Sequence, residues 1–292
     1  MKIVIIMFLW AICFPLITLG LPLAPHLSFA TLRAVIAGIV LIGLALYLRR
    51  PMPDTWSMWW QLIVVGIGAT TLGFLGMFHA AEFVAPGVAT VIANMQPVLA
   101  AFLARYLLAE RLTFVGKSGM ALGFAGIVVI ALPGLLDQAN DNYVVGILYL
   151  VLAALGITVS NVMIKRMSGR LDAFMAMGWQ LLLGAIPLGI LSVLTEDPTA
   201  ITWSSRFLIS LFGLALFGTA LVYWLWCRVL QQTALSHANV FSFLVPLFGL
   251  SMGVVFYDEP LTIATIFGVI LAVLGIWMVS GAVQVSHPAN RS

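Results

Sequence analysis

Ten nearly uncharged, apolar stretches of about 20 residues follow one another along the chain, at roughly 3–22, 28–48, 58–81, 87–108, 113–134, 143–164, 172–194, 207–228, 236–256 and 261–283. Each is long enough to cross a hydrocarbon layer of about 30 Å as a helix. Lipid offers no water to backbone N–H and C=O groups, so a spanning segment must satisfy its own, and these runs are expected to be helical. Composition agrees: 63% hydrophobic and 8% charged residues leave too little polar material to clothe a soluble globule of 292 residues. The expected fold is an all-α membrane protein of ten transmembrane helices.

An even number of spans puts both termini on one side. Lys2, Arg49, Arg50, Arg105, Arg111, Lys117, Lys165, Arg166, Arg170, Arg228 and Arg291 flank one face, with Arg206 on the other and Arg33 inside a span. By the positive-inside rule the N and C termini are expected to be cytoplasmic. Glu82, Asp137, Asp141, Glu196, Asp197, Asp258 and Glu259 lean to the opposite face. The net charge of +3 therefore reflects topology, and no basic cluster interleaved with exposed aromatics points to nucleic acid. The run after Lys2 continues past Phe14 with no A-x-A site behind it, so it reads as a first span and not as a cleaved leader.

The chain also repeats. Pro97, Glu110, Leu112, Thr113, Gly119 and Gly126 match Pro246, Glu259, Leu261, Thr262, Gly268 and Gly275, every pair 149 residues apart. Ala85/Ala234, Ala89/Ala238 and Ile127/Ile276 keep the same offset, which points to a duplication. The expected units are a five-helix repeat over 1–134, a second over 143–283 and a cytoplasmic tail over 284–292. Five is odd, so the second copy would cross the membrane in the opposite sense. Inverted repeats of this kind mark secondary transporters that alternate access around a midplane site. Gly116, Gly119, Gly123 and Gly126 on the fifth span, with Gly268, Ala272 and Gly275 on the tenth, predict that these two helices pack closely.

Pro97 and Pro246 lie near the middle of spans four and nine. A mid-helix proline displaces the carbonyl four residues earlier, here those of Ala93 and Ser242. Such carbonyls persist at membrane depth only beside protein or a wet cavity. Helical spacing extends that face through Thr90 and Asn94 on one side and Asn239 and Phe243 on the other. Spans three and eight add Thr70, Phe74 and Met77 against Thr219, Tyr223 and Trp226. Span one adds Trp10 and Phe14, and span six Ser160 and Asn161. The aromatic residues named here, with Met77, His79, Thr90, Asn94, Pro97, Ser160, Asn161, Asn239 and Pro246, form the candidate substrate-binding set.

Ionisable groups inside a membrane are costly and so draw attention. Two roles are open for Arg33: binding a substrate carboxylate, or a structural one in which it pairs with Glu82 or reaches outward. Its approximate counterpart in the second half is the neutral Gln180, beside Trp179. His79, near the outer end of span three, is read either as a titrating gate or as a helix-end histidine. Glu110 and Glu259 stand at the N-terminal approach to spans five and ten, where a carboxylate favours the helix dipole, and are read as structural or gate residues. Cys13 and Cys227 fall at different depths, so neither a disulfide, a metal site nor a cofactor is expected.

On these residues the chain resembles the drug/metabolite transporter superfamily, in particular the ten-helix bacterial exporters built from two EamA-type repeats. The stretches that carry it are Gln96-Pro97-Val98 through Leu107-Leu108-Ala109-Glu110-Arg111-Leu112 and Val245-Pro246-Leu247 through Asp258-Glu259-Pro260-Leu261. The resemblance implies alternating-access export of small metabolites, mostly amino acids, across the bacterial inner membrane, with a single chain as the working unit. Many relatives carry a glutamate before the first proline, whereas Gln96 stands here and Val245 in the second copy. That difference puts proton coupling by a carboxylate at this position in doubt. The aromatic interior is similar to exporters of aromatic and neutral amino acids. Neither the paired aspartates, serine–histidine dyad or H-E-x-x-H of an intramembrane hydrolase nor the filter of a channel is present in the sequence.

Overall fold

A computed structural model of the chain describes residues 2–93, 96, 99, 114–136, 142–167, 169–232, 238, 241, 244–258 and 261–282. All regular structure among them is helical. Among the described residues six runs are long and apolar enough to cross a membrane: Ile3–Leu23, His26–Tyr47, Trp56–Ala80, Tyr143–Arg166, Ala173–Thr195 and Ser205–Gln232. The bundle's outside is apolar, with Ile39, Leu148, Ile190 and Ile209 each more than half exposed, as a lipid-facing surface requires.

The first run divides into α1 (Lys2–Ala11) and α2 (Cys13–Gly20). Pro15 has no N–H to give to the Ala11 carbonyl. Ile12 N donates to Phe8 O at 3.1 Å and Leu16 N to Ile12 O at 3.2 Å, so the chain continues helically past that gap. α3 (His26–Tyr47) follows, then α4 (Trp56–Val65) and α5 (Gly73–Ala80), joined by a π-helical segment over Gly66–Leu72. α6 (Pro86–Ala93) and α7 (Phe114–Leu136) complete the described first half.

The second half holds α8 (Tyr143–Arg166), α9 (Ala173–Thr195), α10 (Ser205–Phe212) and α11 (Val222–Gln232), the last two joined by a π-helical segment over Gly213–Leu221. α12 (Leu244–Tyr257) and α13 (Ile263–Ala282) close it. Shifting the first π segment by 149 residues gives 215–221, inside the second, so the irregularity recurs at the same place in each half.

Small residues set the closest packing. A Cβ on Gly38 would lie 2.7 Å from Leu182, and one on Gly178 would lie 2.8 Å from Ile42, while Thr31 meets Gly189. Numbers rise along α3 as they fall along α9, so these two helices run antiparallel. α7 and α13 repeat the relationship: a Cβ on Gly126 would lie 2.5 Å from the Ala272 nitrogen, and Gly275 abuts the backbone of Gly123. The expected packing of the two glycine-bearing stretches is thus present, with backbones too close for larger side chains. Lipid supplies no hydrophobic drive between helices, and this van der Waals contact takes its place.

Contacts also cross between the halves reciprocally. α3 packs on the second π segment as α9 packs on the first, and α6 packs on α12. α5 lies against α8, while α2 lies against α10.

Candidate functional site

The helices surround a cavity lined from both halves of the chain. α1 and α2 supply Trp10, Cys13 and Phe14, α3 supplies Arg33, the first π segment Ala69, α5 Met77 and α6 Ala93, with Gln96 beyond it. From the second half come Ile157, Asn161 and Ile164 of α8, Met177 and Gln180 of α9, Tyr223 and Trp226 of α11, and Val245 of α12. The wall is mostly apolar, so its few polar groups define what it can hold.

Arg33 is 1% exposed. Its Nε donates to Thr219 Oγ1 at 2.7 Å, and Nη2 donates to Gly218 O at 3.3 Å and approaches Cys13 Sγ at 3.5 Å. The guanidinium carbon stands 4.2 Å from the centroid of the Phe74 ring and 5.8 Å from that of Phe78. Both are cation–π distances. Nη1 is buried without a partner.

Gln180 mirrors this arrangement. Each residue stands seven places after the first of its helix, Arg33 on α3 and Gln180 on α9. Gln180 Oε1 accepts from Thr70 Oγ1 at 2.9 Å, and its Nε2 is buried without a partner. Thr70 and Thr219, themselves 149 residues apart, occupy the two π segments. A π turn inserts one residue, and it aims each threonine across the seam at the other half's second span.

The other polar contacts fix the aromatic wall. Trp226 Nε1 donates to Asn161 Oδ1 at 2.9 Å, and the Trp10 ring meets that of Trp226 with centroids 5.0 Å apart. Gln96 Nε2 donates to the Ala93 carbonyl at 3.4 Å, the acceptor that Pro97 would leave free.

A second cluster gathers the helix ends. His26 Nδ1 lies 2.9 Å from Glu82 Oε1 and 3.1 Å from Glu196 Oε1, and the His26 ring stands 4.3 Å from that of His79. Glu196 also accepts from the Leu27 and Ser28 amides at 2.9 Å each, capping α3 where its dipole favours a negative charge. One carboxylate thereby joins the C-terminal end of α9 to the N-terminal end of α3.

Of the candidate residues, Trp10, Phe14, Met77, Asn161, Tyr223, Trp226 and Arg33 line the cavity together. Phe74 does not; it is fully buried beneath Arg33. Ser160 faces the helix seam, donating to Val65 O at 3.1 Å and Gly156 O at 2.9 Å. His79 sits in the end cluster between His26 and Tyr149, whose ring is 4.3 Å away, and its Nδ1 is buried without a partner. Arg33 neither pairs with Glu82 nor reaches outward, because Thr219 and Gly218 hold it inside. Thr90 lies on α6 and Pro246 on α12, their side chains outside the described set. Asn94, Pro97, Asn239, Phe243, Glu110 and Glu259 fall outside the described residues. Cys13 and Cys227 are buried free thiols.

Gln180, Gln96, Val245 and Cys13 also line the cavity, although sequence reasoning does not select them as binding residues. Signals for three of them exist: Gln180 is the counterpart of Arg33, and Gln96 and Val245 precede the repeated prolines.

The sequence profile of the EamA-like transporter family matches residues 1–132 and 144–281. The chain belongs to the EamA-like transporter family. It is 27% identical over 278 residues to the uncharacterized transporter YvbV of Bacillus subtilis, covering 93% of this chain and 88% of that protein. It is 26% identical over 288 residues to a Salmonella typhimurium protein named "Probable amino-acid metabolite efflux pump", covering 94% and 92%. A solved crystal structure shares the fold at a TM-score of 0.68, with 21% identity and coverage of 95% and 94% of the two chains. Family and helices together make this EamA-like chain a membrane transporter.

Proposed function

We propose that this EamA-like protein is a secondary transporter that exports small metabolites, foremost neutral and aromatic amino acids, across the bacterial inner membrane by alternating access. In this reading ten spans form two inverted five-helix repeats, over 1–134 and 143–283, both termini are cytoplasmic and one chain suffices. The observation that carries it is the cavity, walled by corresponding helices of both halves. The antiparallel course of α3 beside α9, and of α7 beside α13, supports inversion, as does the reciprocal pairing of Arg33 with Thr219 and Gln180 with Thr70.

Trp10, Phe14, Tyr223 and Trp226 would clasp an apolar or aromatic side chain, while Asn161 and Arg33 would hold polar ends. Thr90, Asn94, Asn239 and Phe243 would extend that lining, and Pro97 and Pro246 would mark where spans four and nine flex. The amino-acid assignment draws on the efflux-pump relatives. The test is counterflow with purified protein in liposomes, using a panel of labelled amino acids and other metabolites. Saturable uptake accelerated by the same solute inside supports a carrier, and flux without saturation or trans-stimulation refutes it. Uptake confined to drugs or nucleosides would keep the carrier and replace its substrate class.

A further inference from the structure

A guanidinium has five N–H bonds and a charge that it keeps at every relevant pH. In Arg33 the Nε hydrogen goes to Thr219, and Nη2 is directed at Gly218 O and Cys13 Sγ. Both hydrogens of Nη1 are unspent. Among the described residues no carboxylate pairs with Arg33; the three ion pairs there involve His26, Glu82, Glu196, Arg50 and Asp172. Phe74 and Phe78 attract the cation, and the described lining residues carry no opposite charge to balance it. A charge at this depth is costly, and a counter-ion that completes its hydrogen bonds relieves that cost.

Gln180 adds to the same imbalance. Among the described residues lining the cavity, the two buried side-chain atoms without partners are Arg33 Nη1 and Gln180 Nε2, and both are donors. Apart from the amides of Gln96 and Asn161, the rest of the described lining is largely apolar or aromatic, with Phe14, Met77, Ile157, Ile164, Met177 and Val245 among it. No carboxylate among these lining residues is available to an ammonium group.

We propose that the cavity selects a carboxylate: Arg33 binds the substrate's carboxyl group, Gln180 supplies a further donor, and the substrate is a small monocarboxylate with an apolar body. This deepens the carrier reading and rests on it. An α-amino group is tolerated against the ring faces but is not what the site recognises. Neutral amino acids are then one member of a class that includes the corresponding carboxylic acids without the amine.

The test uses matched pairs that differ only at the carboxyl group: L-phenylalanine and L-phenylalaninamide, L-leucine and L-leucinamide, 3-phenylpropionate and 3-phenylpropionamide. Binding is read as the rise in unfolding temperature of the purified protein in detergent, and transport as counterflow in liposomes. At least one carboxylate should bind ten times more tightly than its amide, with 3-phenylpropionate bound despite lacking an amine. Arg33→Met should fold with an unfolding temperature near that of the parent and lose the preference, while Arg33→Lys should retain part of it.

Amides that bind as well as carboxylates, no binding by any carboxylate, or an Arg33→Met protein that keeps the preference would each overturn the assignment. So would an Arg33→Met protein that fails to fold, since Arg33 would then serve the fold and not the ligand. Binding without counterflow would instead remove the carrier, so the two failures are told apart.

Discussion

Arg33 reaches from α3 into the second half and donates through Nε to Thr219 Oγ1 at 2.7 Å. The bond joins a permanent cation to a hydroxyl held by a π turn, where Thr219 itself donates to Leu214 O at 2.8 Å. Gln180 and Thr70 form the neutral version on the other side of the seam. Helical irregularity and polar contact therefore occur together, twice, at the wall of one cavity.

The two seam bonds are predicted to differ in strength. Thr219→Val leaves a buried charged donor unpaired and should lower stability by about 1.5–3 kcal/mol, whereas Thr70→Val breaks a neutral bond worth about 1 kcal/mol. Thermal unfolding of both variants in the same detergent checks the order. Equal losses would mean that the charge is already compensated by another group.

Close packing of α7 on α13 yields a second expectation. Gly126→Ala places a methyl 2.5 Å from the Ala272 nitrogen, so the helices must separate at a cost of about 1–3 kcal/mol. Gly43→Ala has open space around it and should be neutral or slightly stabilising. A Gly126→Ala protein as stable as its parent would contradict the antiparallel contact.

His26 and Glu196 tie the end of α9 to the start of α3. Glu196→Gln removes the charge that faces both His26 and the α3 amides, with an expected loss of about 1–2 kcal/mol. Because the two residues touch, Glu196→Gln and His26→Asn should be non-additive by at least about 0.5 kcal/mol in a double-mutant cycle. Additive losses would show that the contact contributes nothing.

Tyr223→Ala should cut the maximal rate of counterflow at least about tenfold without lowering the amount of folded protein, because it opens the aromatic wall. Phe74→Leu removes the ring under Arg33 and not a cavity wall, so it should alter stability more than apparent substrate affinity. Transport by Tyr223→Ala at the parent rate would place the binding surface elsewhere.

How much the chain discloses before folding depends on the range of the interaction. Apolar runs and the positions of Pro15, Pro97 and Pro246 act locally, so helix positions can be read from them. Close packing of α7 on α13 is legible because glycine permits one outcome at such spacing. Arg33 stands out because a buried charge is rare. The π segments do not show: a stripe drawn at 3.6 residues per turn through Thr70, Phe74 and Met77 ignores an inserted residue, which rotates the rest of the helix by about 100°. Both Phe74 and Met77 follow that insertion on α5, where Met77 faces the cavity and Phe74 lies beneath Arg33. The His26–Glu196 contact joins residues 170 positions apart, and only the antiparallel packing of α3 and α9 brings them together.

Alternating access requires that the two ends of the cavity never open together. In the carrier reading Met77, half a turn from His79 and the end cluster, and Ile164, beside Lys165 near the opposite helix ends, would face different mouths. With Cys13 and Cys227 replaced by serine, Met77→Cys and Ile164→Cys should each react with a membrane-impermeant thiol reagent from its own side. A transported solute that raises one rate should lower the other. Rates that rise and fall together, or one thiol reactive from both sides at once, would contradict a carrier that opens one mouth at a time.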